Sequence, residues 1–150
     1  MKVAGISLAK NANKYKYPID LVIKQHKDLI DIHFIGVPHE SQDSDNTREL
    51  IMNAAQKCNA EVVVLELDWP DGDVAWTEES LDKKLQQQML DIIDESMDNE
   101  DSVQFDWIVK IDANEFYNDG AIEFLREEME TFLDTDINTI SHNYLQFVGS

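Results

Sequence analysis

The sequence predicts an α/β fold with a mainly parallel sheet, on three observations. Short apolar or β-branched runs recur at Val3–Ala9, Ile30–Val37, Glu61–Leu67 and Phe105–Ile111. Between them lie segments whose apolar residues repeat at helical spacing. Strand and helix therefore alternate as β-α-β-α-β-α-β-α-β, which builds parallel strands joined by right-handed crossovers with helices on both faces. The 150 residues are one domain, 1–150, by length.

The elements follow in order. VAGISLA (Val3–Ala9) is a short apolar run fit for a buried first strand. It leads into KNANKYKY (Lys10–Tyr17), a polar loop of lysine, asparagine and tyrosine. Pro18 suits a first helical turn, and Ile19, Leu21, Val22 and Leu29 mark the apolar face that follows. Ile30–Val37 is the second strand, ended by Gly36 and Pro38. In the loop HESQDSDN, Asn46 with Glu49 three residues on has the form of a capping box. Leu50, Ile51, Ala54, Ala55 and Cys58 then share a helical face, which makes Cys58 a small core residue. The VVVL run after Glu61 is expected to be buried on both faces of the sheet.

DWPDGDVAW (Asp68–Trp76) is a loop, and Thr77 is a candidate N-cap with Glu78 and Glu79 in the first turn. Leu81, Leu85, Met89, Ile92, Ile93 and Met97 form one long amphipathic stripe. Asp98–Asp101 lacks the glycine and ligand spacing of an EF-hand and is expected to be a solvated linker. Phe105, Trp107, Val109 and Ile111 alternate with Asp106, Ile108, Lys110 and Asp112, a period-two strand ending in Asp112, Asn114 and Glu115. A final helix spans Asn118–Leu133 with Ile122, Leu125, Met129 and Phe132 on one face. An extended C-terminal strand is expected over Ile137–Val148.

Charge narrows the partners. The net charge is −19, yet residues 1–30 hold six lysines and two aspartates, about +4, leaving about −23 elsewhere. Such a surface repels nucleic acid and anionic membrane. It could also imitate nucleic acid and occupy a basic groove on another protein. One cysteine excludes an internal disulfide, and no apolar run approaches a membrane span, so a cytoplasmic protein is expected.

In an open α/β sheet, ligands bind beyond the carboxyl ends of the strands. The loops there are Lys10–Tyr17, His39–Asn46, Asp68–Trp76 and Asp112–Tyr117. They combine cations and aromatics with carboxylates and amides, as a diphosphate–metal complex requires. Neither GxGxxG nor GxxxxGK[ST] occurs, which argues against a dinucleotide fold and a P-loop. His26, His33 and His39 lack metal-ligand spacing, and His142 is expected to be structural.

Three stretches carry a resemblance: ISLAKN (Ile6–Asn11), ESQDSDNTREL (Glu40–Leu50) and DWIVKIDANEF (Asp106–Phe116). In order and spacing they resemble the nucleotide-binding half of a GT-A glycosyltransferase of the family-2 type, over roughly residues 1–120. The resemblance implies a Rossmann-like GT-A nucleotide-binding fold. It implies that Lys10, Asn11, Glu40 and Asp112 line a nucleotide pocket, and that Asp112, Asn114 and Glu115 hold Mn²⁺ or Mg²⁺. Asn114 stands where the family carries its metal-binding aspartate; an amide oxygen can bind a hard cation, with one charge fewer. The family also continues through an acceptor-binding portion with a catalytic base. Here only a helix and an extended segment follow Tyr117, and no catalytic residue is assigned.

Two functions are therefore expected. One is transfer of a sugar from a nucleoside-diphosphate sugar to an acceptor, with Tyr15 or Tyr17 stacking on the base and Trp69 or Trp76 shaping a sugar site. The other is a catalytically inactive acidic interaction protein on a truncated transferase fold, docking on a basic partner as a nucleic-acid mimic or inhibitor.

Overall fold

A computed structural model describes residues 1–71, 79–98 and 102–141. The elements are β1 (Val3–Leu8), α1 (Ile19–His26), β2 (Ile32–Pro38), a 3-10 turn (Glu40–Gln42) and α2 (Thr47–Cys58). They continue with β3 (Val62–Leu67), α3 (Glu79–Met97), β4 (Trp107–Lys110) and α4 (Ala121–Thr131). The strands make one sheet in the order β3-β2-β1-β4, with every neighbouring pair parallel. Strand order thus runs outward from β1 to β3 and then reverses, with β4 added on the other side of β1.

Alternation along the strands decides which helix meets which face. Ala4 and Ile6 of β1, Phe34 of β2 and Leu67 of β3 pack against Leu85, Met89 and Ile93 of α3. Ile35 and Val37 turn the other way, onto Ile19 and Ile23 of α1 and Ile51 and Ala54 of α2. Val3 and Ile111 join that second face beneath Leu125 and Met129 of α4. Helices therefore cover both faces, α3 on one and α1, α2 and α4 on the other. Each large apolar side chain buried this way contributes roughly 1.5–3 kcal/mol.

Gly36 does not end β2 as expected; it lies inside the strand, opposite Leu8 and Leu65. A Cβ there would stand 2.5 Å from Leu67 Cδ1 and 2.9 Å from Met89 Sδ, so the missing side chain lets α3 sit close on the sheet. Pro38 is the last residue of β2. The strand begins at Ile32 because the Leu29 and Ile30 amides still bond back to the His26 carbonyl, completing the turn after α1.

Other expectations are corrected by tertiary context. Leu21 is 52% exposed and leaves the helical face to Ile19, Val22 and Ile23. VVVL is not buried on both faces: among the described residues β3 is an edge strand, and Val63 is exposed, while Val62 and Val64 pack towards α2. Pro18 occupies the N-cap of α1, one residue earlier than the first turn. Cys58 is half-buried at the rim of the second core.

The α2 cap is also different. Asn46 takes a left-handed conformation (φ 60°) and makes no side-chain cap, a backbone role asparagine tolerates better than most residues. Asp43 caps instead, accepting from the Thr47 amide at 3.0 Å and the Arg48 amide at 3.2 Å. Asp45 adds bonds from the Thr47 amide and hydroxyl. Thr77, Glu78, Trp76 and most of Asp98–Asp101 lie outside the described residues, as do His142 and most of the expected C-terminal strand. Ile137–Ser141 form no strand.

This capping arrangement is separable by mutation. Asp43→Ala is expected to lower stability in urea unfolding by about 1 kcal/mol. Asn46→Gly, which keeps the left-handed turn, is expected to stay within about 0.5 kcal/mol of wild type. A larger loss for Asn46→Gly than for Asp43→Ala would restore Asn46 as the cap.

Candidate functional site

The reversal of strand order opens a cleft of about 480 Å³ beyond the carboxyl ends of β1 and β4. Ile6, Leu8 and Met89 give it apolar surface. Tyr17, Asp82, Gln86, Lys110, Asp112 and Asn114 give it polar groups. A concave site of this size with a few converging polar groups is what a small-molecule ligand requires.

Buried polar bonds hold its base. The Ile111 amide bonds the Ile6 carbonyl at 2.9 Å, extending the β1–β4 pairing by one residue. The Ser7 hydroxyl donates to the Ile111 carbonyl at 2.6 Å and lies 2.7 Å from His33 Nε2. Burial holds the His33 pKa down to about 3, so this link is between neutral groups. β4 alternation then sends Lys110 towards α3, where its ammonium lies 3.4 Å from Asp82 and 3.8 Å from Asp112.

The chain next turns tightly: the Asp112 amide bonds a Glu115 carboxylate oxygen at 3.1 Å, and the Glu115 amide bonds the Asp112 carbonyl at 3.0 Å. That leaves the Asp112 carboxylate 64% exposed at the mouth. Exposed ion pairs of this kind contribute little to stability, so Lys110 can leave its carboxylates for a ligand at small cost.

Asp112 and Asn114 are thus brought together in the cleft. Glu115 sits behind them, ordering the turn. Lys10, Asn11 and Glu40 do not line it. Asn11 is nearly buried in a left-handed turn (φ 56°), its carbonyl accepting from the Tyr15 amide. Its loop is fastened to the start of α2: the Ala12 amide bonds Thr47 Oγ1 and the Lys14 amide bonds Asp45, both at 2.8 Å. The same folding sends Tyr17 into the cleft. Glu40 is exposed in the 3-10 turn beyond β2. Sequence reasoning missed Asp82 and Gln86; with Met89 they follow i, i+4, i+7 spacing, a polar continuation of the α3 stripe.

A second polar cluster joins the ends of β2 and β3. His39 bonds Glu66 through Nδ1 at 3.0 Å and Asp68 through Nε2 at 3.2 Å. Arg48 also reaches Glu66, and Gln88 reaches Asp68. The hydrogen bond to Glu66, then that to Asp68, raises the His39 pKa, and the same bonds lower those of Glu66 and Asp68.

Among the described residues no group of three or more histidine, cysteine, aspartate or glutamate side chains could by itself hold a metal ion. Asp112 and Asn114 do offer two cleft oxygens. Mg²⁺ characteristically takes one or two protein oxygens and completes its shell with water and substrate phosphate, so this donor set fits a ligand-borne cation and not a preformed cage. No helix among the described residues is long and apolar enough to cross a membrane. No family model, curated protein or solved structure matches the chain.

The His39 cluster has a defined pH window. His39 stabilises below its unfolded pKa of about 6.5 and loses this as pH rises through its higher folded value. Glu66 and Asp68 stabilise above their unfolded values near 4 and lose this as pH falls through lower folded values. The Tm difference between wild type and His39→Gln is therefore expected to be largest between about pH 5 and pH 6.5 and to be smaller at about pH 9. An equal difference at both ends of that range would remove the imidazolium from the account.

Proposed function

We propose that the cleft binds a nucleoside-diphosphate sugar, and that the protein transfers the sugar to an acceptor from a Rossmann-like domain of the GT-A type. The observation that carries this reading is the position of the cleft, at the carboxyl ends of β1 and β4 where strand order reverses. Asp82, Gln86, Asp112 and Asn114 are suited to hydroxyl groups of a sugar. Tyr17 offers a face for a ring, and Lys110 a positive charge for a phosphate.

Asp82 and Asp112 outweigh Lys110 in charge, so a diphosphate needs added positive charge to enter. Mn²⁺ or Mg²⁺ held by Asp112 and Asn114 would supply it and would stabilise the negative charge that develops on the leaving diphosphate. The residues themselves bind and orient: Glu115 fixes the Asp112 turn, and Ser7 fixes the end of β4 beneath it. In the transfer, the bond from the sugar's anomeric carbon to the diphosphate oxygen breaks, with the electron pair leaving on that oxygen. A bond from that carbon to the acceptor oxygen forms as the acceptor's O–H bond breaks, and the proton passes to water.

A second reading rests on the net charge of −19: an inactive domain whose acidic surface docks on a basic protein partner. The two readings part in one titration. With nucleoside diphosphates and Mn²⁺ at about a hundred times Kd, Tm is expected to rise by roughly 5 to 10 °C, and Asp112→Ala is expected to abolish the rise. Silence across the whole nucleotide panel would refute donor binding. Capture of a basic protein that releases steeply with salt would then favour the docking surface.

A further inference from the structure

At the opposite end of the sheet from the cleft lies a second concavity of about 300 Å³, between the end of α1 and the start of β3. Lys27, Asp28, Asp31, Asn59 and Glu61 ring it, and His33 lines its base. Ser7 fixes which His33 nitrogen carries the proton. The hydroxyl donates its single proton to the Ile111 carbonyl, so it accepts from His33, whose Nε2 must be the N–H. Nδ1 is then a bare lone pair. It is buried and has no hydrogen-bond partner among the described residues, in a residue only 2% exposed.

The ring's geometry sets the direction of that lone pair. Its Nε2–Cδ2 edge faces β1, with Nε2 on Ser7 and Cδ2 beside Gly5. Nδ1 therefore lies on the edge away from β1, on the side where α1, β3 and the concavity are. A buried acceptor left unmet is costly, and a donor reaching it recovers that cost. The charges around it select the donor. Asp28, Asp31 and Glu61 outnumber Lys27, and Asp31 is already engaged by the Val3 amide at 2.8 Å. No metal-holding group of three forms among the described residues. The site calls for a cation that itself carries N–H.

We propose that this concavity binds a small primary ammonium ligand, whose N–H donates to His33 Nδ1 while Asp28 and Glu61 balance its charge. Because it lies at the other end of the sheet, it stands or falls separately from the nucleotide reading of the cleft.

The test uses the whole chain with ¹⁵N-labelled histidine, titrated with propylammonium chloride and, in parallel, tetramethylammonium chloride, which has the charge but no N–H. Propylammonium is expected to move the His33 Nδ1 resonance saturably. At about ten times its Kd it should raise Tm by about 3 to 6 °C. Tetramethylammonium should do neither. Glu61→Gln and Asp28→Asn, both at the rim, are each expected to weaken propylammonium binding about threefold or more. Equal responses to the two cations would overturn the proposal. So would a Nδ1 resonance that neither cation moves, which would leave a buried water as its partner.

Discussion

The hydroxyl of Ser7 is the point on which this structure turns. It lies within the central strand and bonds the main chain of one neighbour and the imidazole of the other. A hydroxyl has one proton to give, so the direction of each bond is forced. One bond holds the carbonyl of Ile111 where the chain leaves β4 for the Asp112 turn. The other sets the tautomer of a histidine reaching towards the far end of the sheet. A buried network of this kind gains by being fully satisfied, and the His33 Nδ1 lone pair, unmet among the described residues, is informative for that reason.

Two kinds of order meet around the cleft. Its base is made of neutral, buried contacts that cannot be rearranged without exposing polar groups. Its mouth is made of charges that sit largely in water, where ion pairs are weak. Position is thus fixed from below, while the groups that would meet a ligand stay free to change partners.

Much of the scaffold was legible in the chain, because strand alternation carries phase. Counting by twos from Trp107 places Val109 and Ile111 with it on the α4 side and sends Lys110 the other way; Phe105, expected on that same face, precedes the strand and packs on the α3 side against Phe34. Asp112 then stands at the strand's end, which is where the cleft has it. What the chain could not convey is non-local. Asp82 and Gln86 enter the cleft only because α3 lies across the sheet, an approach that Gly36 permits. Asn46 matched a capping pattern, but two acids earlier in the same loop reach the amides first. Lys10 and Asn11 precede a loop whose amides are bound to the start of α2, so it folds across that end of the sheet, and only Tyr17 turns inward. Nothing within VVVL says that its strand is at an edge.

Among the described residues β4 is the other edge of the sheet, and it is four residues long. An open parallel edge offers unpaired amides and carbonyls to any passing strand, and short length and charge are the usual protection. Ile108, exposed on this strand, is bracketed by Asp106, Lys110 and Asp112. The charges at the mouth of the cleft are therefore also gatekeepers against strand-to-strand association. Neutralising Lys110 and Asp112 together would strip a β edge as well as a ligand site, and loss of solubility would then follow from the edge alone.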